Sequence, residues 1–127
     1  MTKILSKIFN KLLFIYLFGI LAAENNKELA LNHFMQGEFL MNQGNYALAI
    51  LEFQDAIDLD PNASTIHVSI ADGYRRIGKL SKAEDHLGIA LELDSEEKEA
   101  LEMLGQIFLS QKRYLEAKKT YQDLSDL

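Results

Sequence analysis

No cysteine occurs anywhere in this sequence. A disulfide framework, a thiolate metal site and a cysteine nucleophile are therefore excluded together. Tryptophan is also absent and proline occurs once, at Pro61. Glycine-rich phosphate loops and nucleophile elbows are missing too, so nothing marks a nucleotide-cleaving or acyl-transferring enzyme. At 127 residues, 48% of them hydrophobic, the chain has material for one folded domain and is too apolar to be disordered throughout.

Positive charge is scarce outside the N-terminus. Residues 1–23 hold Lys3, Lys7 and Lys11 and no acid, whereas the rest holds ten basic and nineteen acidic residues, a net charge of −9. A body that acidic is repelled by phosphate backbones, so nucleic acid is not an expected partner.

One apolar run stands out, Leu12 to Ala23, twelve residues behind the three lysines. That is the length of a secretory signal core and falls short of the ~20 residues that span a bilayer unaided. The step from Ala23 to Glu24 suits a cleavage that leaves the mature chain beginning near Glu24. The alternative is an uncleaved anchor over residues 4–23. In both cases the lysines stay on the cytoplasmic side and residues 24–127 are exported, to the periplasm, the cell envelope or the medium.

The remainder repeats itself. Gly44-Asn45-Tyr46-Ala47-Leu48-Ala49 aligns with Gly78-Lys79-Leu80-Ser81-Lys82-Ala83 at an offset of 34, and a second step reaches Lys112-Arg113-Tyr114-Leu115-Glu116-Ala117. The units are about 30–63, 64–97 and an incomplete 98–127. Apolar residues recur at helical spacing, as in Leu48, Leu51, Ala56 and Leu59, or Leu101, Leu104 and Phe108. Gly44 and Gly78 stand where first helices end in left-handed caps, and Asp60-Pro61-Asn62 closes the first unit. Asp94-Ser95 offers a cap to a following helix, with Glu96 and Glu97 in its first turn. The expected fold is all-α, an α-solenoid of helix-turn-helix units.

These residues carry a resemblance to the tetratricopeptide repeat, whose 34-residue unit places small, aromatic and proline positions in fixed order. Gly37, Ala49, Phe53, Ala56 and Pro61 match in the first unit; Tyr74, Ala83 and Ala90 in the second; Leu104, Gly105 and Ala117 in the third. Gly37, Ala49, Ala71, Ala83, Gly105 and Ala117 are then expected where paired helices approach closely. The family's tryptophan position holds His33, His67 and Leu101, and Gln36 stands where leucine is usual. His33 and His67 read as gap-fillers rather than metal ligands, and His86 as a surface residue without a partner.

The resemblance implies a protein-binding scaffold with a concave groove, without catalysis, cofactor or metal. Its groove phases fall on Leu31, Phe34, Glu38, Met41 and Asn42, then Thr65, Val68, Asp72, Arg75 and Arg76, then Glu99, Glu102, Gln106, Leu109 and Ser110. The basic and asparagine positions with which some members grip a carboxylate terminus hold Phe34, Glu38, Ser69, Glu99 and Met103 instead, so that grip is not expected here. Arg75 and Arg76 are the groove's only cations and point to an acidic peptide. Tyr114, Tyr121, Leu124 and Leu127 are expected to lack a covering helix, which makes a docked subunit or a homo-oligomer the alternative.

Overall fold

A computed structural model describes residues 1–127. Six helices follow one another: α1 (Thr2–Asn42), α2 (Tyr46–Leu59), α3 (Ser64–Arg76), α4 (Leu80–Leu93), α5 (Lys98–Ser110) and α6 (Tyr114–Ser125). They pair as antiparallel hairpins, α1 with α2, α3 with α4 and α5 with α6. Successive hairpins stack through α2 against α3 and α4 against α5. The helical-repeat architecture read from the period of 34 is the one observed.

Each hairpin turn is closed by the same pair of backbone bonds. The Gly44 N–H donates to the Met41 carbonyl and the Asn45 N–H to Leu40; Gly78 and Lys79 repeat this on Arg75 and Tyr74. Lys112 and Arg113 repeat it on Leu109 and Phe108. Such a cap needs a left-handed residue, and φ is +78° at both glycines. The third turn forces Lys112 to φ +60°, a conformation that costs a side-chain-bearing residue ~1–2 kcal/mol.

Packing within the hairpins follows a matched pair of positions. Gly37 lies against Phe53, so closely that a Cβ there would overlap the ring. One period later Ala71 and Leu87 share a core cluster, and one more period on a Cβ at Gly105 would meet Tyr121 at 2.6 Å. Glycine stands opposite an aromatic ring, alanine opposite leucine. The expected small positions Ala49, Ala71, Ala83 and Ala117 are all buried. Two clusters result. One centres on Phe53, Ile57, Ile66 and Ile70, the other on Leu87, Val68, Met103 and Ile107, and Tyr74 packs against both. Arg113 ties the last hairpin to the second: its guanidinium donates to Glu84 at 2.6 and 3.0 Å and to Glu116, and lies 4.3 Å over the Phe108 ring. The Glu116 and Glu84 bonds hold the guanidinium even more firmly protonated than usual, and Arg113 in turn lowers the Glu116 carboxyl.

Three expectations need correction. Leu48 and Leu51 are exposed, because the buried stripe of α2 runs through Ala49, Ile50, Phe53, Ala56 and Ile57. Asp94 does not cap α5. Its carboxylate accepts from the Glu96 N–H at 3.0 Å inside the turn, and the helix starts at Lys98, leaving Glu99 as its first-turn acid. Tyr121, expected uncovered, packs over Gly105 and is half-buried.

The first helix extends beyond its hairpin. Glu24-Asn25-Asn26 contains no helix breaker, so the helix runs from the apolar N-terminus into the first repeat without interruption. Ala30 is the first residue along it to be buried. Everything before it, including Leu5, Phe9, Phe14 and Phe18, is exposed. This one helix is long and apolar enough to cross a membrane, with a mean hydropathy of 1.8 over an 18-residue window.

Candidate functional site

The first helix of each hairpin faces one concave side, and that geometry sets which side chains meet. A cavity of about 560 Å³ opens there between α1, α3 and α5. Phe34, Glu38, Met41 and Asn42 come from α1, Thr65, Ser69, Asp72 and Arg76 from α3, and Glu99 from α5. An adjoining hollow of about 140 Å³ adds Arg75, Glu102, Met103 and Gln106. The hollows are open to solvent and lined mainly by polar side chains, which suits part of a peptide better than an enclosed small molecule.

Most of the anticipated groove residues therefore meet: Phe34, Glu38, Met41, Asn42, Asp72 and Arg76 in the main cavity, Arg75 and Gln106 beside it. Leu109 is exposed at the end of α5 but lines neither. Val68 is a correction. It is only 3% exposed and belongs to the core, because α3 lies between α2 and α4 and buries more than one face. Ser69, one step round the helix, occupies the groove instead. Tyr46 was not anticipated. It opens α2 just beyond the Gly44 turn and reaches the cavity from there, its ring 5.9 Å from the Arg76 guanidinium. Its position after the turn glycine was the available signal.

The electrostatics differ from the expectation as well. Both arginines are engaged within α3: Arg75 donates to Asp72 at 2.5 and 3.1 Å, and Arg76 lies 3.5 Å from the same carboxylate. These are i,i+3 and i,i+4 pairs of one helix, and the pairing blunts the positive feature on which an acidic ligand was expected to dock. Glu38 accepts a hydrogen bond from the Ser69 hydroxyl at 3.0 Å, and Glu102 one from the Gln106 amide at 3.5 Å. Neither carboxylate has a cation, and Glu99 has no partner at all. Partial burial, followed by the charges of Glu97, Asp72, Glu38 and Glu102, pushes the Glu99 carboxyl above its ordinary range.

The histidines lie behind the groove, between the two helices of a hairpin. His33 Nδ1–H donates to Glu52 at 2.8 Å, with Asp55 close by. One period later His67 and His86 meet Nδ1 to Nδ1 at 3.2 Å, and Tyr74 stacks on His86. His86 is thus half-buried and partnered rather than free on the surface. Burial lowers the pKa of His67, and burial followed by the charge of His67 lowers that of His86. Two facing Nδ1 atoms have room for one proton between them, so the neutral forms are favoured.

The comparisons with known proteins agree with this construction. Tetratricopeptide repeat profiles match residues 21–63 and 68–124. No curated protein sequence matches. Among solved structures, the second TPR of Spaghetti (RPAP3), bound to the HSP90 peptide SRMEEVD, superposes with a TM-score of 0.77 at 25% identity, over 83% of this chain and 97% of that one. The first TPR of the same protein, bound to the same peptide, gives a TM-score of 0.75 at 26% identity, over 79% of each chain. PilF of Pseudomonas aeruginosa shares the fold with a TM-score of 0.73 at 24% identity, over 80% of this chain and 46% of that one. With the repeats, their packing glycines and alanines and the matching profiles in agreement, this chain belongs to the tetratricopeptide repeat family.

Proposed function

We propose that this chain is a non-catalytic interaction module that holds a segment of another protein in the concave groove of its repeats. The observation that carries the reading is the cavity between α1, α3 and α5, which joins apolar walls from Phe34, Met41 and Tyr46 to hydrogen-bonding groups from Asn42, Thr65 and Ser69. Open grooves of this mixed kind suit extended or helical peptides. Two similar structures hold a peptide, which supports the class of ligand though not its sequence. Crosslinking from photoreactive residues placed at Met41 and Ser69, followed by mass spectrometry of the captured segment, tests the site. The reading expects capture there and none from the same probe at Glu92 on α4.

The apolar N-terminal part of α1 serves export and attachment in this reading. A cleaved signal, leaving a chain that starts near Glu24, and a retained anchor would both deliver the repeats across the membrane. The unbroken helix through Ala23 and Glu24 supports retention. Intact-mass measurement of the exported protein distinguishes the two.

A second reading, a subunit that docks through its last hairpin, is favoured by one observation. Leu115 on α6 is 85% exposed, and Tyr114 beside it is exposed as well. Sedimentation at micromolar concentration tests it: a stable oligomer that Leu115→Glu dissociates supports docking through α6, and a compact monomer opposes it.

A further inference from the structure

The charge balance of the groove names a class of occupant. Four carboxylates, Glu38, Asp72, Glu99 and Glu102, line the two adjoining hollows beside two guanidiniums, Arg75 and Arg76. Both guanidiniums are directed at one carboxylate, Asp72. Glu38, Glu99 and Glu102 therefore face the cavity without a counter-charge. They come from two helices, α1 and α5, held apart by the repeat stacking. Their charges repel one another, and Glu99 feels both Glu38 and Glu102. Phe34, Met41 and Tyr46 supply apolar and aromatic surface alongside, and Tyr46 already stands near one guanidinium, that of Arg76. A ligand that brings positive charge would remove the repulsion among the acids and add a cation–π contact. A ligand that brings carboxylates would meet three carboxylates without a contacting cation, in hollows whose four acids outnumber their two guanidiniums.

We propose that the groove selects a cationic segment, a lysine- or arginine-bearing peptide with apolar residues between its charges, and discriminates against an acidic one. This rests on the reading of the groove as a peptide site and adds the sign of the ligand's charge. It runs opposite to the acidic peptide SRMEEVD held by the two similar structures, and opposite to what Arg75 and Arg76 suggest when the sequence is read alone.

The test uses the full chain in uncharged detergent micelles and three fluorescent pools of short peptides. The pools share positions randomised over leucine, methionine and phenylalanine, and differ only in carrying lysine, glutamine or glutamate between them. The expected order of affinity is lysine over glutamine over glutamate, with lysine binding weakened by added salt. Glu99→Gln and Glu102→Gln are each expected to lower affinity for the lysine pool about two- to fivefold and to flatten its salt dependence. Glu92→Gln, a charge removed from α4 outside the groove, should leave it unchanged. Equal losses from Glu92→Gln and Glu99→Gln would mean attraction to the acidic body as a whole, and would overturn the site. Glutamate peptides bound as tightly as lysine peptides would overturn the charge inference while leaving the peptide groove intact. Binding of none of the pools would overturn both.

Discussion

The two halves of α1 are one helix in two environments. From Thr2 to Leu29 every side chain is exposed, and over Leu12 to Ala23 they are apolar in every direction, Phe14 exposed to the extent of 70%. From Ala30 to Asn42 the same helix buries one face only, with Ala30 and Gly37 against the hairpin and Glu38, Met41 and Asn42 along the groove. A helix that is apolar all round is at equilibrium only where its surroundings are apolar all round, whereas a one-faced helix needs a partner on one side and water on the other. The comparison teaches that helix formation is independent of what stabilises each half. No glycine or proline stands at the junction to separate them, so the boundary lies in the side chains and not in the backbone.

That contrast breaks most sharply at phenylalanine. Phe53→Ala removes the ring that covers Gly37 and should destabilise the repeats by ~3–5 kcal/mol, read from urea unfolding of the full chain in micelles. Phe14→Ala in the exposed half should leave the same transition in place. Equal shifts would mean that both halves pack against the body.

Glycine gives the next largest effect, and within a single helix. Alanine is the better helix former, so Gly19→Ala, with nothing within 4 Å of its added methyl, should be neutral or slightly stabilising. Gly37→Ala drives a methyl into the Phe53 ring and should cost ~1–3 kcal/mol despite the gain in propensity. Thermal melts followed at 222 nm decide it.

A smaller effect, of opposite sign, comes from the third hairpin turn. Lys112→Gly relieves a left-handed lysine and should stabilise the repeats by about 0.5–1 kcal/mol without changing how the N-terminal half partitions into micelles. Gly78→Lys should do the reverse.

The smallest is pH dependence from the histidine pair. His67 and His86 have lowered pKa values in the folded chain, so the folded state binds fewer protons than the unfolded one as pH falls through 6.5. Their contribution is complete above that pH and is lost as pH falls through the folded values. Lys82 opposes and Asp85 favours protonation of His86, and the Pro61 carbonyl favours that of His67. His86→Phe, which keeps a ring against Tyr74, should flatten the melting temperature between pH 7 and 5. An unchanged slope would remove the pair as its cause.

Much of the fold was legible because the repeat writes the same physical demand three times. Gly44 and Gly78 declared their turns, and the small residues from Gly37 to Ala117 declared the close approaches. The third left-handed cap was hidden, since lysine gives no hint that Lys112 must take a positive φ. The outward-facing Leu48 and Leu51 misled the periodicity, which counts apolar residues without knowing which neighbour will cover them. At the site, single-helix phase put Phe34, Glu38, Met41 and Asp72 on the faces that line the cavity. It failed for Val68, because α3 is packed on more than one side. The pairing of Arg75 and Arg76 with Asp72 follows from i,i+3 and i,i+4 spacing and was readable, but the isolation of Glu99 from any contacting cation required knowing that the charged residues α1 and α5 bring to the hollows are all acids.

The absence of cysteine allows one direct test of the proposal that the N-terminal part of α1 is a retained anchor from which the helix passes into the repeat fold without a break. Single cysteines at Leu13, Phe14, Ile15 and Tyr16, and at Asn32, Met35 and Phe39, would each carry a spin label in the chain reconstituted in bilayers. Relaxation by oxygen, which concentrates in lipid, would be compared with relaxation by a water-soluble nickel complex. The account predicts that the four consecutive N-terminal labels all favour oxygen, whichever way they face, and that the three later ones favour nickel. Nickel-accessible labels throughout, or a chain from which the first four have been lost by cleavage, would contradict it.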